Sequence, residues 1–196
     1  MLLTIALLAA NQSPAAGAIR ASDHGALSRG EVVIRTEKVK GVPLKLVRAV
    51  ALIDAPPARV FKVIDNCSGY KRFMPRTTLS RERRRRGKIV DCEVHVELPM
   101  FFGTLRSVTR GVHTAGPKVW SRAWTLVSGT YDHNVGRWTI QPYRGNPKLS
   151  VVEYAIHAVP QVSLPDAILA RANGSAVVNL LKTIRKQVTG SETRRR

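Results

Sequence analysis

The closing stretch of the chain, SLPDAILARANGSAVVNLLKTIRKQV, constrains the fold more than any other segment. Leu169, Ala172, Ala176, Leu180, Ile184 and Val188 recur at steps of three or four, which puts them on one face of a helix. Arg171, Lys182, Arg185 and Lys186 fall off that face. Ser163 and Asp166 stand at capping-box spacing and Pro165 lies in the first turn, so the pattern predicts a helix from about Leu164 to Val188. A helix with one apolar face must cover an apolar surface. Most of what precedes it has the pattern of strands, so that surface must be a sheet.

The order of those strands is legible. EVVIRTEKV (31–39) and KLVRAVALIDA (45–55) flank Gly41–Pro43 and predict a hairpin. PPARVFKVIDNC opens on Pro56 and Pro57 and repeats apolar residues at Val60, Val63, Ile64 and Cys67, the spacing of a short helix. GYKRFMP adds a second apolar turn, stopped by Pro75. Six strand-like runs follow, from TTLSRERRR to KLSVVEYAIHAV, most of them separated by Gly or Pro. In DCEVHVEL the polar Asp91, Glu93, His95 and Glu97 alternate with Cys92, Val94, Val96 and Leu98, the period of a strand wetted on one face only. The expected class is α+β: a curved antiparallel sheet wrapped round a long C-terminal helix, with two short helices after the N-terminal strands.

With LVRAVALIDAPPARVFKVIDNCSGYKRFMP at one end and PQVSLPDAILARANGSAVVNLLKTIRKQV at the other, the chain resembles the START-related, helix-grip superfamily (SRPBCC) over about residues 31–188. That superfamily includes lipid-transfer domains, polyketide cyclases and coenzyme-Q-binding proteins. The resemblance implies a deep apolar cavity between the sheet and the last helix, holding a lipid or other hydrophobic molecule; no cofactor is expected. Inward strand positions supply candidate lining residues: Val94, Val96 and Leu98; then Trp120 and Trp124; then Trp138 and Ile140; then Tyr154 and Ile156. Ala172, Ala176 and Leu180 supply the helix side, where small residues leave volume. Apolar residues at strand period are also what an ordinary core requires. Gly174 falls inside the predicted helix, at a cost of about 1 kcal/mol relative to Ala. Related cyclases steer aldol chemistry with polar cavity residues, and Tyr154, His157, Arg106 or Arg122 are the candidates here. No catalytic signature accompanies them, so the expectation is a binding or transfer protein, with a cyclase as the alternative.

Charge sets a second expectation. The 196 residues carry a formal net charge of +19, of which residues 69–88 supply +8 and residues 182–196 supply +5. RERRRRGK, with Arg81, Arg83, Arg84, Arg85, Arg86 and Lys88, meets a turn at Gly87 and so predicts an exposed hairpin tip. Four consecutive arginines put charge on both strand faces, which excludes core packing there. Docking to an anionic membrane surface fits a lipid carrier. RNA or the ribosome suits the same charge, and a solvated edge that resists aggregation is the plainest reading.

The remaining features bound location and cofactors. MLLTIALLAA has the length of a secretory h-region, and AGA (Ala16–Ala18) offers a cleavage site, so residues 1–18 are expected to be a signal peptide. Residues 19–30 would then be a linker, 31–188 the ligand-binding domain and 189–196 a basic tail, in a periplasmic or secreted monomer. If the apolar start is not a leader, the protein is cytoplasmic. Cys67 and Cys92 are either one disulfide or two buried thiols. The five histidines have no metal-ligand spacing, and no metal site is expected.

Overall fold

The computed structural model of the chain describes residues 14–15, 17, 19–42, 44–99, 102–165, 168–169 and 174–190. Eight antiparallel strands form one sheet: β1 (Val33–Glu37), β2 (Leu46–Ile53), β3 (Thr77–Arg86), β4 (Ile89–Glu97), β5 (Thr104–Ala115), β6 (Trp120–Gly129), β7 (Tyr131–Tyr143) and β8 (Asn146–Pro160). Their spatial order is β1-β2-β8-β7-β6-β5-β4-β3. All consecutive strands from β3 to β8 are therefore neighbours, and one long crossover carries the chain from β2 to the far edge. That crossover contains α2 (Pro57–Asp65) and a 3-10 helix (Cys67–Arg72). Pro56 and Pro57 start α2 where the backbone N–H groups would be unpaired in any case. The resulting curved open sheet with a C-terminal helix is the expected class.

The concave side is built from alternate residues of each strand. Val47, Ala49, Ala51 and Ile53 of β2, Ile140 of β7 and Val152 of β8 pack with Val60 and Ile64 of α2. α3 (Ser175–Thr189) closes this core with Val177, Leu180, Leu181, Ile184 and Val188. Cys67 and Cys92 join the 3-10 helix to β4 as a disulfide, with a Cα–Cα separation of 6.0 Å. On the convex side Leu27 packs against Val50, Tyr143 and Val151.

Two boundaries differ from expectation. The stretch expected as a linker contains a helix, α1 (Asp23–Ser28), because Leu27 finds an apolar site on the outer face of the sheet. The terminal helix runs from Ser175, and does not extend unbroken from Leu164. Gly174 is its N-cap, at φ −115 and ψ −96, outside the helical region. A helical turn does open after Pro165, with the Leu169 N–H donating to the Pro165 carbonyl at 3.2 Å. Gly174 thus interrupts the helical backbone within one hydrophobic period. Residues 1–13, 16 and 18 of the expected leader, Ala172 and most of the basic tail lie outside the described residues.

Candidate functional site

A cavity of about 120 Å³ lies on the concave side beside the 3-10 helix, away from α3. Its apolar wall comes from Val94 and Val96 of β4, Trp124, Trp138, and Tyr154 with Ile156 of β8. Six expected lining residues are thereby brought together. The others do different work. Ile140 and Leu180 are core residues, Leu98 is buried, and Trp120 is half-buried against the core. Ala176 is half-buried in the first turn of α3 and does not line the cavity. The buried face of α3 is made of Val177, Leu180, Leu181, Ile184 and Val188, which pack into the core.

The aromatic wall is ordered by close packing. Trp124 stacks on Tyr154 with centroids 6.0 Å apart, and Trp138 lies 4.2 Å from Tyr154. Gly136 of β7 pairs with Trp124 across the strands, and a Cβ there would meet the indole at 2.1 Å. Glycine lets the ring lie flat on the neighbouring strand. The Trp124 indole N–H donates to Asn134 Oδ1 at 3.1 Å.

Of the polar part of the cavity, the sequence singled out Arg122 and Tyr154 and missed the rest. Tyr70, Met74, Ser107, Thr109, Tyr131 and Asn134 line it, together with Arg122. Arg122 is 3% exposed. Its guanidinium lies over the Tyr70 ring at 5.1 Å and the Trp124 ring at 5.3 Å, and such cation–π contacts contribute about 0.5–2 kcal/mol. A signal was present: in WSRAW the strand period sets Arg122 on the same face as Trp120 and Trp124. Of the other polar candidates Tyr154 also lines the cavity. Arg106 is exposed, and His157 bonds the Leu44 carbonyl at 3.0 Å away from the cavity.

Behind Arg122 runs a chain of charged groups. Arg122 Nε donates to His113 Nε2 at 3.1 Å, and His113 Nδ1 is hydrogen-bonded to Asp65 Oδ1 at the end of α2. An imidazole that accepts at Nε2 and donates from Nδ1 is neutral. Burial agrees, pushing the His113 pKa below its ordinary value despite the opposing pull of Asp65. Asp65 pairs in turn with Arg85 at 3.1 Å, and His113 and Arg85 outweigh burial to hold its carboxyl below the usual range. Burial pushes Tyr131 up to about 12 and raises Tyr70 and Tyr154 as well.

The basic hairpin has the expected position, with Gly87 at φ +54 in its turn. Its arginines divide by face. Arg81 and Arg83 bond Glu93, whose carboxyl they hold down to about 2, chiefly through Arg81. Arg85 bonds Glu82 at 2.8 Å in addition to Asp65. Among the described residues Arg84, Arg86 and Lys88 have no ion-pair partner. Arg84 and Arg86 share a surface with Arg110, its ion-pair partner Asp91, and Ile89, which is 46% exposed, and Val112 beside Ile89 is 48% exposed. Among the described residues no three metal-ligating side chains cluster, and no helix is long and apolar enough to cross a membrane.

Residues 53–184 match the family model described as polyketide cyclase / dehydrase and lipid transport. The chain belongs to that family. Solved structures of several proteins share the fold. A STAR-related lipid transfer protein from Xanthomonas axonopodis aligns over 91% of this chain and 99% of its own, at 17% identity and a TM-score of 0.70. Human StAR-related lipid transfer protein 5 aligns over 83% and 84%, at 10% identity and 0.69. The Zhui aromatase/cyclase from Streptomyces sp. R1128 aligns over 74% and 93%, at 14% identity and 0.60. At these identities the likeness speaks to the fold alone. No curated protein sequence matches the chain.

Proposed function

We propose that the protein binds, and passes on, a hydrophobic lipid-like molecule held in the cavity beside the 3-10 helix. The observation that carries this reading is a cavity walled by Trp124, Trp138, Tyr154 and two valines in a member of a family that includes lipid transport. Its volume, about 120 Å³, is below the roughly 300–1,000 Å³ of sites for drug-sized ligands. A short amphiphile, or one end of a longer lipid, matches it without rearrangement.

Binding is favoured over cyclase chemistry because, among the described lining residues, no group is suited to proton transfer near neutral pH. The Tyr131 phenol is pushed to about 12, the Tyr70 and Tyr154 phenols are raised too, and His113 Nε2 is occupied by Arg122. Arg84, Arg86 and Arg110, with the exposed Ile89 and Val112 and with Asp91 on the same surface, give a basic and apolar face suited to an anionic membrane. A periplasmic or secreted location accords with the Cys67–Cys92 disulfide, since such bonds persist in oxidising compartments.

The test is saturable binding of lipids and lipid-like dyes by purified protein, with Ser107→Phe as the blocking variant. The added ring occupies the cavity, and overpacking of about 1–3 kcal/mol requires that folding be checked by near-UV circular dichroism. Normal binding by the folded variant would put the ligand elsewhere. If basic-face variants lose RNA affinity and vesicles never bind, the membrane reading gives way to the nucleic-acid one.

A further inference from the structure

We infer that the ligand is an apolar carboxylic acid whose head is held by Arg122. This rests on the reading that the cavity binds a hydrophobic molecule, and it adds the chemistry of the head group. Arg122 is a permanent cation that is 3% exposed and lines the cavity. Burying a charge without a counter-charge is costly, so buried cations are ordinarily paired. Here no carboxylate lines the cavity among the described residues.

The acids nearest in the chain of contacts are already committed. Asp65 is separated from Arg122 by His113 and is shared with Arg85 at 3.1 Å. Glu82 is bonded to the same Arg85. His113 is neutral and accepts from Arg122 through one nitrogen, so it satisfies Nε without balancing the charge. Among the described residues no other hydrogen bond to the guanidinium is made by a side chain, which leaves the two Nη groups for a ligand. Two Nη donors and one planar carboxylate make the bidentate geometry that arginine favours.

The surroundings fix the orientation of such a molecule. The Tyr70 and Trp124 rings hold the guanidinium from its faces, and His113 holds its Nε. A cation with its rotation so restricted presents its open edge in one direction. Asn134, with its oxygen engaged by Trp124, keeps its amide N–H groups as further donors to an anion. The apolar tail then runs along Val94, Val96 and Ile156. An alcohol or ester of the same shape fills the cavity equally well but leaves the charge of Arg122 unbalanced.

Binding of octanoate, laurate and palmitate, each against the alcohol of the same chain, tests the inference by isothermal titration and by native mass spectrometry. The wild-type chain is expected to bind the best acid at least tenfold more tightly than its alcohol. Arg122→Met, which keeps much of the side-chain length, should lose at least tenfold for the acid while the alcohol binds no more weakly. Arg122→Lys should retain part of the acid preference. Equal binding of acid and alcohol by the wild type overturns the inference and leaves the hydrophobic-ligand reading standing, whether or not the Met variant folds. Binding of alcohols with exclusion of acids does the same. If neither series binds at any chain length, the ligand reading and this inference fall together.

Discussion

Two residues behind the cavity wall, Gly136 and His113, hold Trp124 and Arg122 in place at the scale of single residues. Gly136 allows Trp124 to lie against β7, and Gly136→Ala would drive a methyl group into the ring and toward the Ala155 carbonyl at 2.7 Å. A loss of about 1–3 kcal/mol is expected, with a changed Trp124 environment in near-UV circular dichroism. Wild-type stability and an unaltered spectrum would show that the indole can move aside. His113 contributes a pH dependence. Its folded pKa lies below the unfolded value of about 6.5, so the unfolded chain takes up the proton first. Its stabilising contribution is therefore present above about pH 6.5 and is lost as pH falls through the interval down to the folded value. Asp65 on one side and Arg122 and Arg85 on the other face it, and His133 is shifted in the same direction by burial. The measurement is accordingly a difference: urea stability against pH for the wild type and for His113→Asn, with a shallower decline below pH 6.5 expected in the variant. Identical slopes would remove His113 as the group responsible.

Among the elements, the β3–β4 hairpin is where charge is spent in two ways. Arg83 and Arg85 are tied to Glu93, Glu82 and Asp65, so replacing the whole arginine run with serine would strand acidic partners as well as remove surface charge. Arg84→Ser with Arg86→Ser avoids this. Stability should change by less than about 0.5 kcal/mol, as for exposed sites without special partners. Cosedimentation with vesicles containing phosphatidylserine should fall, and wild-type binding should weaken with salt because Coulomb attraction is screened over about 8 Å at physiological ionic strength. Retention of full vesicle binding by the variant would assign these arginines to a solvated edge. Arg85→Ser should behave differently, lowering stability measurably through the loss of its bonds to Asp65 and Glu82.

For the molecule as a whole, the Cys67–Cys92 bond staples the crossover helices to the far side of the sheet across a sequence separation of 25 residues. Closing a loop of this length is worth about 2–4 kcal/mol through the unfolded chain. Paired Cys67→Ala and Cys92→Ala substitutions should lower the urea midpoint by a corresponding amount, and reduction of the wild type should do the same. An unchanged midpoint would mean that the two cysteines add packing alone. The same bond holds the 3-10 helix, and with it Tyr70, against the cavity. Its loss should therefore also weaken ligand binding.

The sequence by itself determined the strands, their order, α2 and the one-faced character of the last helix, because hydrophobic periodicity and proline positions are local properties. It also determined six of the cavity residues, since strand alternation carries Val94, Val96, Trp124, Trp138, Tyr154 and Ile156 to one side. Only the tertiary structure decided that Ile140, Leu180 and Ala176 stand apart from the cavity, for the same period serves a packed core and a ligand wall alike. It decided too that Arg122 is buried. A charged residue flanked by tryptophans is set on their face by local geometry, but whether that face is dry depends on Tyr70, His113 and Asp65, brought from distant parts of the chain by pairing and packing that no local pattern encodes.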